Sequence, residues 1–292
     1  MKIAITGASG FVGTALGSFL HKNGYDVEPL HQSDFREDRL ELLKQKLSGC
    51  DGVVNLAGAS ISVRWTPEQK RMIYESRIRT TRILVETINA LERKPSVLVS
   101  ASAVGHYPST GIHDEDSAAD PASFLAKVTR DWEAEAAKVN PSVRLVILRF
   151  GIILGTEGGM FPRVLNAFSK GIGVVFGTGK QSFSWIHIDD LLRIILKMLH
   201  DPNLSGVFNC VAPGVTDMLE FTDRLSLCTQ PYVRFRLPGF ILKTALLGGS
   251  DLLLKGQHVV SKRLKDAGFE FRYPDLDDAI TELCGEERAK GG

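Results

Sequence analysis

Cysteine is scarce in this chain of 292 residues. Cys50, Cys210, Cys228 and Cys284 are scattered and form no Cys-x-x-Cys pair. That pattern excludes a disulfide framework and a thiolate zinc site, and it suits a reducing cytoplasm. An excess of one charge is also missing. The net charge of +1 offers no basic field for nucleic acid or an anionic membrane. No apolar run reaches the roughly 20 residues that a membrane span needs. The stretch 240–254 comes nearest, but Lys243, Asp251 and two glycines interrupt it. The amino end opens directly into an apolar strand, which leaves no room for a secretory leader. Internal repeats and low-complexity segments are lacking as well. The expectation is a cytoplasmic protein that acts on a small molecule, binds neither nucleic acid nor membrane nor metal, and is open to homodimer formation.

What is present is organised around residues 1–30. Lys2 to Thr6 reads as a short buried strand, and it breaks into Gly7-Ala8-Ser9-Gly10-Phe11-Val12-Gly13. Phe11, Leu16, Phe19 and Leu20 then recur at helical spacing up to the stop at Asn23-Gly24, and Tyr25 to Leu30 is a second apolar run. Strand, glycine turn, helix and strand in this order form a dinucleotide-binding βαβ unit. Each glycine has a physical task. Gly7 permits the tight turn, Gly10 lets the backbone approach a pyrophosphate, and Gly13 lets the helix pack closely. Unpaired N–H groups and the positive dipole end of the helix then face the phosphates. Gly7, Ser9, Gly10, Phe11, Val12 and Gly13 are the first cofactor-binding candidates.

The polar patch His31 to Arg36 falls where the adenosine ribose belongs. Asp34, about 20 residues past the motif, suits the ribose hydroxyls of NAD. Gln32 and Arg36 suit the 2′-phosphate of NADP. NADP is the expected cofactor and NAD the alternative. Leu40 to Leu47 reads as a helix and Gly52 to Leu56 as a third strand, whose end places Leu56, Ala57 and Gly58 beside the ligand. Thr66, Pro67 and Gln69 mark a helix start with a capping box, and Arg77 rides on that helix as a further cofactor candidate. Ser96 to Val99 is a fourth strand that leads into Ser100 and Ser102, hydroxyls positioned for the cofactor and for catalysis. Asp120-Pro121 opens the next helix, Val143 to Leu148 is a fifth strand, and Asp189-Asp190 caps a later apolar helix. Alternating strands and helices predict an α/β fold: a doubly wound parallel Rossmann-type sheet with a smaller carboxyl-terminal α+β substrate lobe. The expected division is 1–155, rejoined by 185–201, for the dinucleotide-binding domain. Segments 156–184 and 202–285 form the smaller lobe, and 286–292 a frayed tail.

TGASGFVG, NLAG, SASAVGHY, LRFGIILG and FSWIHIDDL, taken in order, resemble the extended short-chain dehydrogenase/reductase superfamily. More narrowly, they resemble its atypical NADP-binding branch known as the epimerase family, or nucleoside-diphosphate-sugar epimerase-like proteins. GQHVVSKRLKDAGFEFRYPDLDDAI resembles that branch's own terminal domain. The resemblance implies a serine that orients a substrate hydroxyl, which Ser102 matches. It also implies a Tyr-x-x-x-Lys pair, which is missing. None of the five tyrosines has lysine four residues on, and the matching slots fall near Leu125 and Thr129. Tyr107, His106 and Lys127 are the nearby substitutes, and Ser102, Tyr107 and Lys127 form the candidate catalytic set. His187 lies in a strand-to-helix turn that borders the expected cleft.

Two functions follow from the resemblance. One is an NADP(H)-dependent oxidoreductase or sugar-nucleotide epimerase-like enzyme. The other is a non-catalytic NADP(H) sensor, because relatives in plants and cyanobacteria are linked to plastid or cell division.

Overall fold

The first strand, β1 (Lys2–Thr6), alternates its side chains across the sheet. Ile3 and Ile5 enter one hydrophobic cluster and Ala4 the cluster on the opposite face. A strand buried on both faces belongs in the middle of a parallel sheet, and β1 lies there. The computed structural model describes residues 1–291. After β1 come α1 (Phe11–Lys22), β2 (Asp26–Leu30), α2 (Leu40–Leu47), β3 (Gly52–Asn55), α3 (Pro67–Asn89) and β4 (Val97–Ala103). The chain continues through β5 (Ile112–His113), α4 (Phe124–Ala136), β6 (Arg144–Phe150), β7 (Ile152–Leu154), α5 (Phe161–Ser169) and β8 (Ile172–Phe176). Next are β9 (Trp185–His187), α6 (Ile188–His200), β10 (Gly206–Cys210), α7 (Met218–Thr229), β11 (Val233–Leu237) and α8 (Gly239–Leu246). The chain ends with α9 (Asp251–Leu254), β12 (His258–Val259), α10 (Lys262–Asp266) and α11 (Leu276–Gly291).

Six strands form one parallel sheet in the order β10-β6-β4-β3-β1-β2. The chain leaves β1 for β2 on one side and returns to β3 on the other. The β1/β3 boundary is therefore the topological switch point, where a crevice opens at the carboxyl ends of the strands. Helices α1 and α6 cover one face through Leu16, Leu20, Ile194, Ile195 and Met198. Helices α2 and α3 cover the other through Leu43, Leu47, Leu84 and Ile88. Pro29 lies in β2, at the edge of the sheet, where a strand tolerates a residue without an N–H.

The smaller lobe has its own core. Phe161 and Phe168 of α5, Phe221 and Leu225 of α7, and Ile280 and Leu283 of α11 enclose Phe183 and Trp185. The boundaries differ from the sequence expectation in three places. Strand β10, assigned from sequence to the smaller lobe, is the outer strand beside β6, and Leu264 of α10 joins the core of the main sheet. Strand β9 pairs with β7 in a separate ladder and not with the main sheet, although Ile186 of β9 joins α6 in the core of that sheet as the returning segment 185–201 predicts. The residues expected as a tail are helical as far as Gly291; Gly292 lies outside the described residues.

Two helix caps also differ. Ser123, not Asp120, caps α4, accepting from the Ala126 N–H; Asp120 instead accepts from the Ala122 and Ser123 N–H groups. The His187 ring, not Asp189 or Asp190, accepts from the N–H at the start of α6. The Thr66 cap holds as expected, with its hydroxyl accepting from the Gln69 N–H at 3.2 Å. No helix among the described residues is long and apolar enough to cross a membrane.

Candidate functional site: the dinucleotide corner and its surroundings

The glycine turn sits between β1 and α1 at the switch point. Gly7 adopts a left-handed φ of +66°, which glycine alone adopts without cost, and its carbonyl accepts from the Gly10 N–H at 2.9 Å. A Cβ on Gly7 would lie 2.8 Å from the Leu56 carbonyl oxygen. A Cβ on Gly13 would lie 2.1 Å from the Gly7 carbonyl oxygen. Both glycines are dictated by the fold. Gly10 differs, because a methyl there would meet only the oxygen of its own turn, at 3.2 Å, and its outer side is open. No side chain caps α1, and its first turn carries no acidic residue, so its N–H groups and dipole are available to an anion. Ser9 and Gly10 are exposed; Phe11 and Val12 are half-buried. The Phe11 ring packs under the glycine-rich loop 155–159: a Cβ on Gly158 would lie 2.7 Å from Phe11.

Beneath the corner lies a polar network that the sequence reading missed. The Thr6 hydroxyl donates to Asn55 Oδ1 at 2.7 Å and accepts from the Leu56 and Ala57 N–H groups at 2.9 and 3.0 Å. Asn55 Nδ2 donates to the Thr81 hydroxyl at 2.8 Å and to the Ser100 hydroxyl at 3.2 Å. Trp132 Nε1 donates to Thr81 as well, at 2.8 Å. The ends of β1, β3 and β4 are thus tied to α3 and α4, and the loop 56–58 is held beside the glycine turn. Ser100, expected to face the cofactor, is turned into this network and is buried. The available signal was polar side chains within apolar strands, which need partners once buried.

At the ribose end, Asp34 is spent inside the fold. Its carboxylate accepts from the His31 N–H at 2.8 Å and pairs with Lys46 Nζ at 2.7 Å, and only 2% of the residue is exposed. Burial raises its pKa, but the Lys46 ammonium and the His31 N–H outweigh that and hold the carboxyl below its usual range. Gln32 and Arg36 remain exposed, and the Arg36 guanidinium pairs with the exposed Asp38 at 3.0 Å.

Of the proposed proton-transfer groups, Tyr107 and His106 lie together, with Tyr107 linked to Ser102 through Arg149 and Glu133, and Lys127 stands apart. Tyr107 is fully buried. Its hydroxyl donates to Asn209 Oδ1 at 2.8 Å and accepts from Arg149 at 2.7 Å, and burial raises its pKa. This hydroxyl is a structural hydrogen-bonder, out of reach of a substrate. Lys127 is exposed on α4, pairs with Asp131 and lies 4.8 Å over the Tyr74 ring, so it does not fill the missing lysine's place. Leu125 packs against Gly105, and the buried Thr129 hydroxyl donates to the Ala126 carbonyl. His106 is pulled down to about 4 by burial and by Arg149, which leaves the imidazole neutral. His187 is buried against Tyr273 and Glu282 in the smaller lobe, and burial lowers its pKa too.

Ser102 does stand at the end of β4, where the sequence places it. Its hydroxyl donates to Glu133 Oε1 at 2.6 Å, and Glu133 is gripped by Arg149 through contacts of 2.8 and 2.7 Å. In-register pairing of Ser102 with Arg149 between β4 and β6 sets up this trio. Arg77 reaches the back of the loop after β3. Its Nη1 donates to the Ala59 and Ile73 carbonyls at 3.1 and 3.0 Å. Burial lowers its pKa to about 10.

Residues 3–210 match the family described as NAD dependent epimerase/dehydratase, and residues 237–283 match a domain of unknown function, DUF1731. The chain is 37% identical to the chloroplastic epimerase family protein SDR39U1 homolog of Arabidopsis thaliana, over 97% of this chain and 86% of that one. It is 33% identical to the human epimerase family protein SDR39U1, over 97% and 99% of the two chains. A crystal structure of human SDR39U1 with NADPH superposes with a TM-score of 0.90 at 30% identity, covering 98% and 99% of the chains. MoeE5 in complex with UDP-glucose and NAD shares the fold at a TM-score of 0.83 and 19% identity. With the glycine corner at the switch point of a parallel sheet and the match running through β10, this chain belongs to the NAD dependent epimerase/dehydratase family.

Proposed function

We propose that the chain binds NADP(H) and serves as an oxidoreductase or epimerase-like enzyme for a small carbonyl compound, polyol or sugar nucleotide. The observation that carries the cofactor reading is the uncapped, acid-free amino end of α1 over the Gly7–Gly13 turn. Preference for NADP(H) rests on Asp34: its carboxylate is committed to Lys46 and His31, while Gln32 and Arg36 are exposed, and the exposed Asp38 that pairs with Arg36 can yield to a phosphate. NADPH in the human relative's crystal structure supports the same choice. A reducing, cytoplasmic setting suits the scattered cysteines, which form no Cys-x-x-Cys pair.

When bound, the nicotinamide supplies the hydride chemistry. The chain's own part is to bind, orient and exclude water. We assign to Ser102, which donates to Glu133 and is itself buried at the end of β4, the task of orienting a substrate hydroxyl through its remaining lone pairs. The smaller lobe touches the loop after β3: a Cβ on Gly249 would lie 2.6 Å from the Val63 carbonyl oxygen.

A specific observation favours a second reading, the NADP(H) sensor. Leu125 and the inward-bonded Thr129 occupy the slots of the proton relay. A turnover screen with NADPH against carbonyl and sugar-nucleotide panels separates the two. Tight NADPH binding without oxidation, reduction or epimerisation of any substrate would leave only the sensor. In the enzyme reading, Ser102→Ala lowers turnover while NADPH affinity stays within about 2-fold.

A further inference from the structure

Strands β8 and β11 form a two-stranded parallel sheet of their own, separate from the main sheet. Their register sets Ile172 beside Val233, Val174 beside Phe235 and Phe176 beside Leu237. Side chains alternate across a pleated sheet, so these six apolar residues share one face. Gly173, Val175, Arg234 and Arg236 take the other. That second face is built against the lobe. A Cβ on Gly173 would lie 3.5 Å from Phe168 of α5, Val175 is buried, and Arg234 pairs with Asp223 of α7. The apolar face is open by comparison. Ile172, Val233 and Phe235 are 47%, 57% and 45% exposed, and Val174, Phe176 and Leu237 are half-buried.

The helix that follows adds to this surface. Helix α8 begins at Gly239, two residues past the end of β11, and Phe240 is 69% exposed. Together these side chains leave on the order of 500 Å² of apolar surface in water, the size at which a patch on a single chain marks an interaction site. Charge, symmetry and area select what covers it. The six residues of the face carry no charge, so a phosphate, a nucleic acid or a charged peptide finds nothing there to pair with. An apolar face is complementary to itself, and a twofold axis lays the patch of each copy on that of the other. The arginines of β11 lie on the opposite face and the net charge is only +1, so two copies meet without like-charge repulsion. Such a pair removes about 1,000 Å² of apolar surface from water, which reaches the lower bound of a specific interface before any polar rim is counted.

We propose that the chain forms a twofold homodimer through the open face of the β8–β11 sheet, with Val233 and Phe235 packed against the same face of a second copy. The dimer is independent of the cofactor reading, because neither strand belongs to the glycine corner.

Sedimentation equilibrium of the full chain tests it. Wild type at about 100 µM gives twice the 32.0 kDa of one chain and dissociates on dilution. Phe235→Glu and Val233→Glu each weaken association by about 100-fold or more, because the interface then buries a carboxylate without a partner. Both variants keep the circular dichroism of wild type, since each position is about half exposed in a single chain. Leu227→Glu, exposed on α7 on the Arg234 side of the sheet, leaves association unchanged.

A wild type that stays at 32.0 kDa overturns the dimer. Phe235-dependent co-sedimentation of that monomer with phosphatidylcholine vesicles would give the face to a lipid surface instead. A dimer that survives both glutamate variants overturns the proposal as well, since the copies then meet elsewhere. If Phe235→Glu fails to fold, Val233→Glu and Ile172→Glu decide the matter alone.

Discussion

Asn55 shows how a single buried amide organises the ligand end of the sheet. Its Oδ1 accepts from Thr6 and its Nδ2 serves both Thr81 and Ser100, so β1, α3 and β4 converge on one side chain. Asn55→Ala strands those hydroxyls in a core without water. We expect a loss of about 2 to 4 kcal/mol in urea unfolding and weaker NADPH binding, because Leu56 and Ala57 lose their fixed position. A change below about 0.5 kcal/mol would show that the network is incidental. Two other residues set opposing pH dependences. His106, held at about 4 by burial and Arg149, titrates near 6.5 when unfolded, so the unfolded chain takes up the extra proton. Stability falls as pH drops from about 6.5 to about 4, by up to about 3 kcal/mol. Glu282 is pushed up to about 7 by burial and by Glu286. Its contribution is present below pH 4.5, its usual value, and is lost as pH rises through about 7. Unfolding measured across pH 4 to 8 should lose the acid-side slope in His106→Gln and the neutral-side slope in Glu282→Gln.

At the scale of elements, α6 and the segment before α11 are joined by one carboxylate. Asp190 is fully buried; its Oδ1 accepts from the Arg272 N–H at 2.8 Å and from Arg193 at 2.9 Å, and its Oδ2 accepts from the Tyr273 N–H at 2.9 Å. Asp190→Ala leaves the buried Tyr273 N–H and the part-buried Arg272 N–H without an acceptor, while the part-exposed Arg193 guanidinium can turn to water. We expect a loss of about 3 to 5 kcal/mol in the urea midpoint analysis, with Asp190→Asn intermediate. An unchanged midpoint would mean that the segment docks by apolar packing alone. The sequence shows Asp189-Asp190 before an apolar helix, the pattern of a cap. Only the fold shows that His187 takes the cap, which frees Asp190 for a long-range latch. Tyr107 fails as a catalyst for a similar reason: a tyrosine near a cofactor reads as an acid or base until Arg149 and Asn209, from β6 and β10, are seen to consume its hydroxyl.

For the whole molecule, the glycine corner predicts a ligand that stabilises the folded state by mass action. NADPH at 100 times its Kd should add about 2.7 kcal/mol and raise Tm accordingly, with a smaller gain from NADH at equal concentration. Gly10→Asp should abolish that gain while leaving the ligand-free Tm nearly unchanged, since the outer side of Gly10 is open. A Gly10→Asp protein with full NADPH stabilisation would place the phosphates elsewhere.

The sequence by itself determined the βαβ unit, the alternation that makes a parallel sheet, the helix start at Thr66 and the family. These depend on local periodicity, turn chemistry and ordered motifs. Tertiary structure alone decided that β10 joins the main sheet, that Asp34 turns away from the ribose to Lys46, and that Ser102 points to Glu133. Each of those outcomes rests on partners distant in sequence, and a hydroxyl, carboxylate or guanidinium becomes reactive or structural only when its hydrogen-bond partners are assigned.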